Sequence, residues 1–238
     1  MTRTAFEERM RQRRRRRWKR GLLAVLVVAL VGVAVWAVWF SDLLVAQKVR
    51  VSGVEQLTEE QVIQAAEVPL GTPLARLDAE TIEERVTDAL PPALTVDVSR
   101  GWPDAVSVSV TEREAVAWVQ QGAGPWLVDG DGVAFLPADP PPEGLLELQA
   151  DTDDEAVLAS AAQVADDVRS IDPALAGGVA QVRAETVDSV ELALADGRMI
   201  VWGSAGEAKA KLRVLKVLLN LPASVYDVSV PTRPTTRE

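Results

Sequence analysis

The sequence runs to 238 residues, 48% of them hydrophobic, with no cysteine, no histidine and a formal net charge of −10. That composition excludes a disulfide framework, the commonest zinc ligands and the Ser-His or Cys-His nucleophile pairs. Its length suits one or two domains. The charge is split: residues 1–20 hold ten Arg and Lys against Glu7 and Glu8, a balance of +8, and the remainder holds fifteen basic against thirty-three acidic residues, −18.

The run Arg13 to Arg17 has the composition of a nucleic-acid arm, but an uncharged apolar stretch follows at once and the acidic remainder would repel phosphates. No nucleic-acid partner is expected. Gly21 to Phe40 carries no charge and ends in Trp36, Trp39 and Phe40. Twenty helical residues reach roughly 30 Å, the thickness of a bilayer's hydrocarbon core. With the basic arm in front, the positive-inside rule predicts a cytoplasmic N-terminus, one transmembrane helix and an extracytoplasmic remainder. A cleaved signal peptide would have a shorter apolar core and a small-x-small site, where this run ends Trp-Phe-Ser-Asp-Leu-Leu.

From Lys48 to Glu112 the periods predict strand, helix, helix, strand, strand. Val49 and Val51 alternate with polar residues up to Gly53. Thr58-Glu59-Glu60-Gln61 is a capping-box pattern, with Leu57 and Val62 at staple positions. A second helix begins at Asp78, carries Ile82, Val86 and Leu90 on one face, and ends at Pro91-Pro92. Val96 and Val98 form one strand, and Val106, Val108 and Val110 form another after the turn at 101–104. A three-stranded sheet with both helices on one face is expected.

Glu114 to Pro231 predicts strands with inserted helices. Ala117 to Gln120, Trp126 to Asp129 and Val133 to Leu136 are short strands, the last two joined by the Asp129-Gly130-Asp131-Gly132 hairpin signal. Val157, Leu158, Ala161, Val164, Ala165 and Val168 trace a helix face. Val190 to Leu194 and Ile200 to Trp202 form a hairpin across Asp196-Gly197, with Trp202 in the core. A helix follows with Ala208, Leu212, Leu215 and Leu219, then a last strand with Tyr226, Val228 and Val230 facing one way and Asp227 and Ser229 the other.

Several of these strings resemble a known family. Val49-Arg50-Val51-Ser52-Gly53-Val54, Gly71-x-Pro73-Leu74, the Leu90-Pro91 helix end, Val98-x-Arg100-x-Trp102-Pro103 and Val108-x-Val110-x-Glu112-Arg113 look like a POTRA domain of the FtsQ type. The segment from Asp129 through Gly132-Val133 to Phe135, and a last strand ending Val230-Pro231, resemble the β-domain of the same bacterial cell-division family, FtsQ or DivIB. The expected architecture is α+β: a basic arm (1–20), a transmembrane helix (21–40), a linker (41–47), a POTRA domain (48–113), a β-domain (114–231) and a flexible tail (232–238). The resemblance implies a divisome scaffold in the cell membrane, enriched at the septum. Such a scaffold binds the small bitopic proteins FtsB and FtsL and other division components, and helps control septal peptidoglycan synthesis. Rival readings are a POTRA-type chaperone for exported polypeptides and a membrane-tethered cell-wall hydrolase.

No catalytic, cofactor or metal residues are expected. The carboxylates at 129, 131, 151, 153, 154, 166 and 167 stand at turns and helix starts, where Asp serves the backbone. Asp129 to Gly132 lacks the later glutamate of a calcium loop. Two interaction candidates remain. The strand Tyr226, Asp227, Val228, Ser229 and Val230 is either an ordinary internal strand or an open edge that accepts a partner strand. The resemblance favours the open edge. Lys209, Lys211, Arg213 and Lys216 form either a solvated helix face or a docking surface for an acidic segment.

Overall fold

The structure is a computed structural model that describes residues 22–33, 44–122, 124–151 and 154–238. It divides into two compact units, Met1–Thr111 and Glu112–Glu238. The expected basic arm, residues 41–43 of the linker, and Gly21 and residues 34–40 of the expected span lie outside the described residues. Residues 22–33 form helix α1, with its Leu and Val side chains exposed. Among the described residues no helix is long and apolar enough to cross a membrane.

The first unit contains β1 (Lys48–Ser52), α2 (Glu59–Ala66), a 3-10 turn (Leu74–Arg76), α3 (Ala79–Ala89), β2 (Ala93–Gly101) and β3 (Ala105–Glu112). The strand order is β1-β3-β2, and β1 runs parallel to β3 with Val49 opposite Val106. Both helices start where their caps predict. Thr58 and Gln61 form the reciprocal capping box of α2, and the Asp78 carboxylate accepts the Thr81 N–H at the head of α3. Val62 and Ala66 of α2 and Ile82 and Val86 of α3 bury against Val106, Val108 and Val110 of β3. Gly53 must be glycine: its φ is +81°, and a Cβ there would lie 2.1 Å from the Val110 carbonyl oxygen. On β2 the Val98 N–H is taken by the Glu83 carboxylate of α3, which accepts it at 2.7 Å.

The second unit is built on one nine-stranded sheet. Its elements are β4 (Ala117–Gln121), β5 (Gly124–Val128), β6 (Ala134–Pro137), β7 (Leu146–Gln149), α4 (Glu155–Ile171), α5 (Pro173–Ala176), β8 (Val179–Ala184), β9 (Val190–Leu194), β10 (Met199–Gly203), α6 (Ala208–Leu218), β11 (Val225–Asp227) and β12 (Thr235–Arg237). The spatial order is β12-β11-β10-β9-β8-β7-β4-β5-β6. Parallel pairs β4·β7, β7·β8 and β10·β11 are interleaved with antiparallel hairpins. One buried row crosses the sheet in register: Leu148, Val182, Leu192, Ile200 and Tyr226. Leu158, Ala161, Val164, Ala165 and Val168 of α4, with Leu212 and Leu215 of α6, share that core. The small alanines let α4 lie close, and each fully buried Leu, Ile or Val in the row is worth about 1.5–3 kcal/mol.

Candidate protein-binding edge

The terminal strands decide which backbone groups face outward. Parallel pairing continues past β11, with the Met199 N–H donating to the Ser224 carbonyl and the Val228 N–H to the Val201 carbonyl, both at 2.9 Å. On its other side β11 carries β12, antiparallel, with Tyr226 opposite Thr236 and Asp227 opposite Thr235. The Ser224 N–H donates to the Arg237 carbonyl at 2.9 Å.

This corrects two expectations. The strand Tyr226 to Val230 is not the edge: β11 stops at Asp227 and is paired on both sides. The tail 232–238 is not a flexible appendage, because Thr235–Arg237 is the outermost strand. The cause is a reversal between two prolines. Pro231 and Pro234 bracket a turn in which the Arg233 N–H donates to the Val230 carbonyl at 2.9 Å, and the last residues fold back along β11. Beyond Asp227 the alternation also fails, since Val228 is buried while Val230 is exposed. The Ser229 N–H and hydroxyl both donate to the Asp227 carboxylate, at 3.0 and 2.7 Å.

Tyr226 is a core residue, 1% exposed. Its hydroxyl donates to the Leu221 carbonyl at 2.8 Å and accepts from the Arg198 guanidinium at 3.3 Å. The same guanidinium lies 5.6 Å from the ring centroid and donates to the Asp196 carboxylate at 2.8 Å. Arg198, which the sequence reading overlooked, therefore ties the β9–β10 turn to the start of the terminal strand pair. The Arg198 N–H, followed by its guanidinium, holds the Asp196 carboxyl below the usual carboxylate range despite some burial.

The second candidate surface is also redrawn. Lys209, Arg213 and Lys216 are exposed on α6 at i, i+4 and i+7, one face of a helix. Lys211 is not on that face: it is 1% exposed, and its ammonium donates to the Ser204 carbonyl at 2.5 Å. Burial pushes its pKa down, against a smaller upward pull from Glu207. Lys216 pairs with Asp172 at 3.1 Å. Asp172 also caps α5 through the Leu175 N–H. Burial raises the Asp172 carboxyl, but the Lys216 ammonium and the Leu175 and Ala174 N–H groups outweigh it, leaving the pKa lowered.

The acidic hairpin has a structural occupation. Asp129 is 5% exposed; one carboxylate oxygen accepts the Asp131 and Val133 N–H groups and the other pairs with Arg113. Among the described residues no three His, Cys, Asp or Glu side chains converge in a way that could hold a metal ion.

Comparison with known proteins matches both units in order. Residues 45–113 match the POTRA domain, FtsQ-type, and residues 117–229 match the C-terminal region of cell division protein FtsQ/DivIB, ending just before β12. Cell division protein FtsQ of Streptomyces griseus is 38% identical over 209 residues, covering 82% of this chain and 97% of that protein. The FtsQ proteins of Streptomyces bingchenggensis and Mycolicibacterium smegmatis are 37% and 35% identical, each over 84% of this chain and over 78% and 59% of their own lengths. With both halves matched in sequence order, the chain belongs to the FtsQ/DivIB family of cell-division proteins.

Proposed function

We propose that this chain is a single-pass membrane scaffold of the division machinery that binds small bitopic proteins of the FtsB and FtsL type and so helps control septal peptidoglycan synthesis. The observation that carries the proposal is the outer edge of β12, the last strand of a long, well-packed sheet, on which no further strand pairs among the described residues. An edge strand offers unpaired N–H and C=O groups to an extended segment of a partner, which is how β-augmentation works. The fully structural use of Asp129 and the family membership support a scaffold without catalysis. The apolar stretch Gly21 to Phe40, behind the +8 arm, supports anchoring with the N-terminus inside.

The test is co-purification of the membrane-extracted full chain with co-expressed FtsB- and FtsL-type proteins of the same cell. Stable recovery of a complex is expected; their absence under conditions that retain other division proteins would reject the partner assignment. Orientation is tested separately with Thr4→Cys and Thr232→Cys in this cysteine-free chain. An impermeant thiol reagent should label only the second in intact cells, and the reverse pattern would overturn the topology.

A further inference from the structure

The first unit carries two large, exposed apolar side chains at one end, Leu70 (61% exposed) and Trp102 (51% exposed). Each stands in a loop hydrogen-bonded to the segment that enters β1. The Gly71 N–H donates to the Ala46 carbonyl at 2.8 Å, and the Ala46 N–H returns to the Thr72 carbonyl at 2.9 Å. The Gln47 and Lys48 N–H groups donate to the Asp104 carbonyl at 2.8 and 3.2 Å. The loop 70–72 and the turn 102–104 therefore flank residues 46–48 on consecutive backbone bonds. Both sit where β1 and β3 begin, because those strands are parallel.

Ala46 follows Phe40, the end of the apolar stretch, by only six residues. At 3.3–3.6 Å per residue, a fully extended tether spans roughly 20 Å at most. The end of the unit bearing Leu70 and Trp102 is thus held within that distance of the apolar stretch's end. Asp104, the acidic group of this turn, is neutralised by Lys48 at 2.8 Å, and Arg50 follows on the same strand. The charge of the 102–104 turn is thereby balanced, in a remainder of net charge −18. An exposed Trp ring and an exposed Leu have the side-chain chemistry that settles at the lipid–water interface.

We propose that Leu70 and Trp102 insert into the extracytoplasmic leaflet of the membrane that holds the anchor, seating the first unit on the lipid surface. The proposal rests on the membrane-anchor reading, and its test separates the two. The full chain is reconstituted in phosphatidylcholine vesicles with single cysteines introduced as Leu70→Cys, Trp102→Cys, Leu94→Cys and Leu30→Cys, each carrying an environment-sensitive fluorophore. Leu94 lies near the start of β2, eight residues or about 27 Å of extended chain from Trp102 just past its end, and is the unseated control. Quenching by lipids with a nitroxide just below the headgroup is expected at positions 70 and 102 and not at 94, with deep acyl-chain nitroxides quenching position 30. Quenching at 30 with none at 70 and 102 overturns the proposal while the anchor stands. No quenching at 30 overturns the anchor reading and the proposal with it. Equal quenching at 94, or quenching at 70 and 102 only when anionic phosphatidylglycerol is added, overturns seating by these two side chains.

Discussion

The Lys211 ammonium lies 5.5 Å from the centroid of the Trp202 ring, with both side chains buried in the second unit. The ring face and the Ser204 carbonyl contact it, with the Glu207 carboxylate acting from further off, so a charge in the core is met by a quadrupole and one strong acceptor. Because burial lowers its pKa, the folded chain holds this proton less tightly than the unfolded chain does. The charged form thus penalises folding below the depressed folded value, and the penalty disappears as the pH climbs towards the ordinary lysine range near about 10.4. We predict that wild type gains stability relative to Lys211→Met as the pH is raised from neutrality towards 10, measured by urea unfolding at each pH. A difference independent of pH would mean that the ammonium is not desolvated.

Tyr226 should behave as a packing residue. Replacing Tyr226 by Ala removes an aromatic side chain from a full row and should cost about 3–5 kcal/mol. Tyr226→Phe loses only the hydroxyl's bonds to Leu221 and Arg198, about 0.5–1.5 kcal/mol. Thermal or urea melts check both, with partner binding measured on the folded fraction. A Tyr226→Ala chain of wild-type stability that no longer bound its partner would return the ring to the interface.

Periodicity made much of the architecture legible. The β1-α2-α3-β2-β3 order follows from Thr58, Asp78 and the alternating valines, whose caps and strand faces are local properties. The elements that escaped it have short or polar patterns. β8, Val-Ala-Gln-Val-Arg-Ala, buries Val179, Val182 and Ala184 in an irregular register with a bulge after Val179. β7 has four residues, and its parallel partners stand far away in sequence. At the site, the alternation of Tyr226, Val228 and Val230 identified the right neighbourhood but could not reveal what covers it. The covering strand is three residues after a proline turn, and its one local signal is the β-branched pair Thr235-Thr236. Lys211 eluded the sequence reading for the opposite reason, since a lysine two positions from exposed Lys209 and Arg213 reads as surface until the helix is seen to turn it inward.

Asp172 gives a prediction at low pH. Its carboxyl binds a proton less readily in the folded chain than in the unfolded one, so its contribution is complete above the ordinary carboxylate range near about pH 4 and fades as pH falls through the depressed value. Asp172→Ala should cost about 1 kcal/mol at neutral pH through the lost cap of α5, and progressively less on acidification. Lys216→Met should cost under about 1 kcal/mol, because the lysine is largely exposed. Parallel unfolding curves at neutral pH and near pH 3 check this; an Asp172→Ala penalty that grew on acidification would contradict it.

The partner edge makes the sharpest prediction. Val228 and Ser229 are unsuited to a proline probe, because the Val228 N–H is spent on Val201 and the Ser229 N–H on Asp227. Proline at either should damage the sheet end rather than block a partner. β12 is the place to probe, because successive residues of an edge strand alternate between a paired side and a free side. Of Thr235→Pro and Thr236→Pro, one removes an N–H that faces β11 and should loosen the strand, while the other removes an outward N–H and leaves the ladder intact. We predict that the second variant keeps its melting curve and circular dichroism yet loses the FtsB-type partner, whereas Arg237→Ala, an exposed side chain, weakens binding only slightly. Both proline variants are measured for fold and for partner affinity with the full chain. If the folded one binds at wild-type affinity, the partner does not add a strand at β12, and the exposed Lys209, Arg213 and Lys216 face of α6 becomes the docking surface to test by charge reversal.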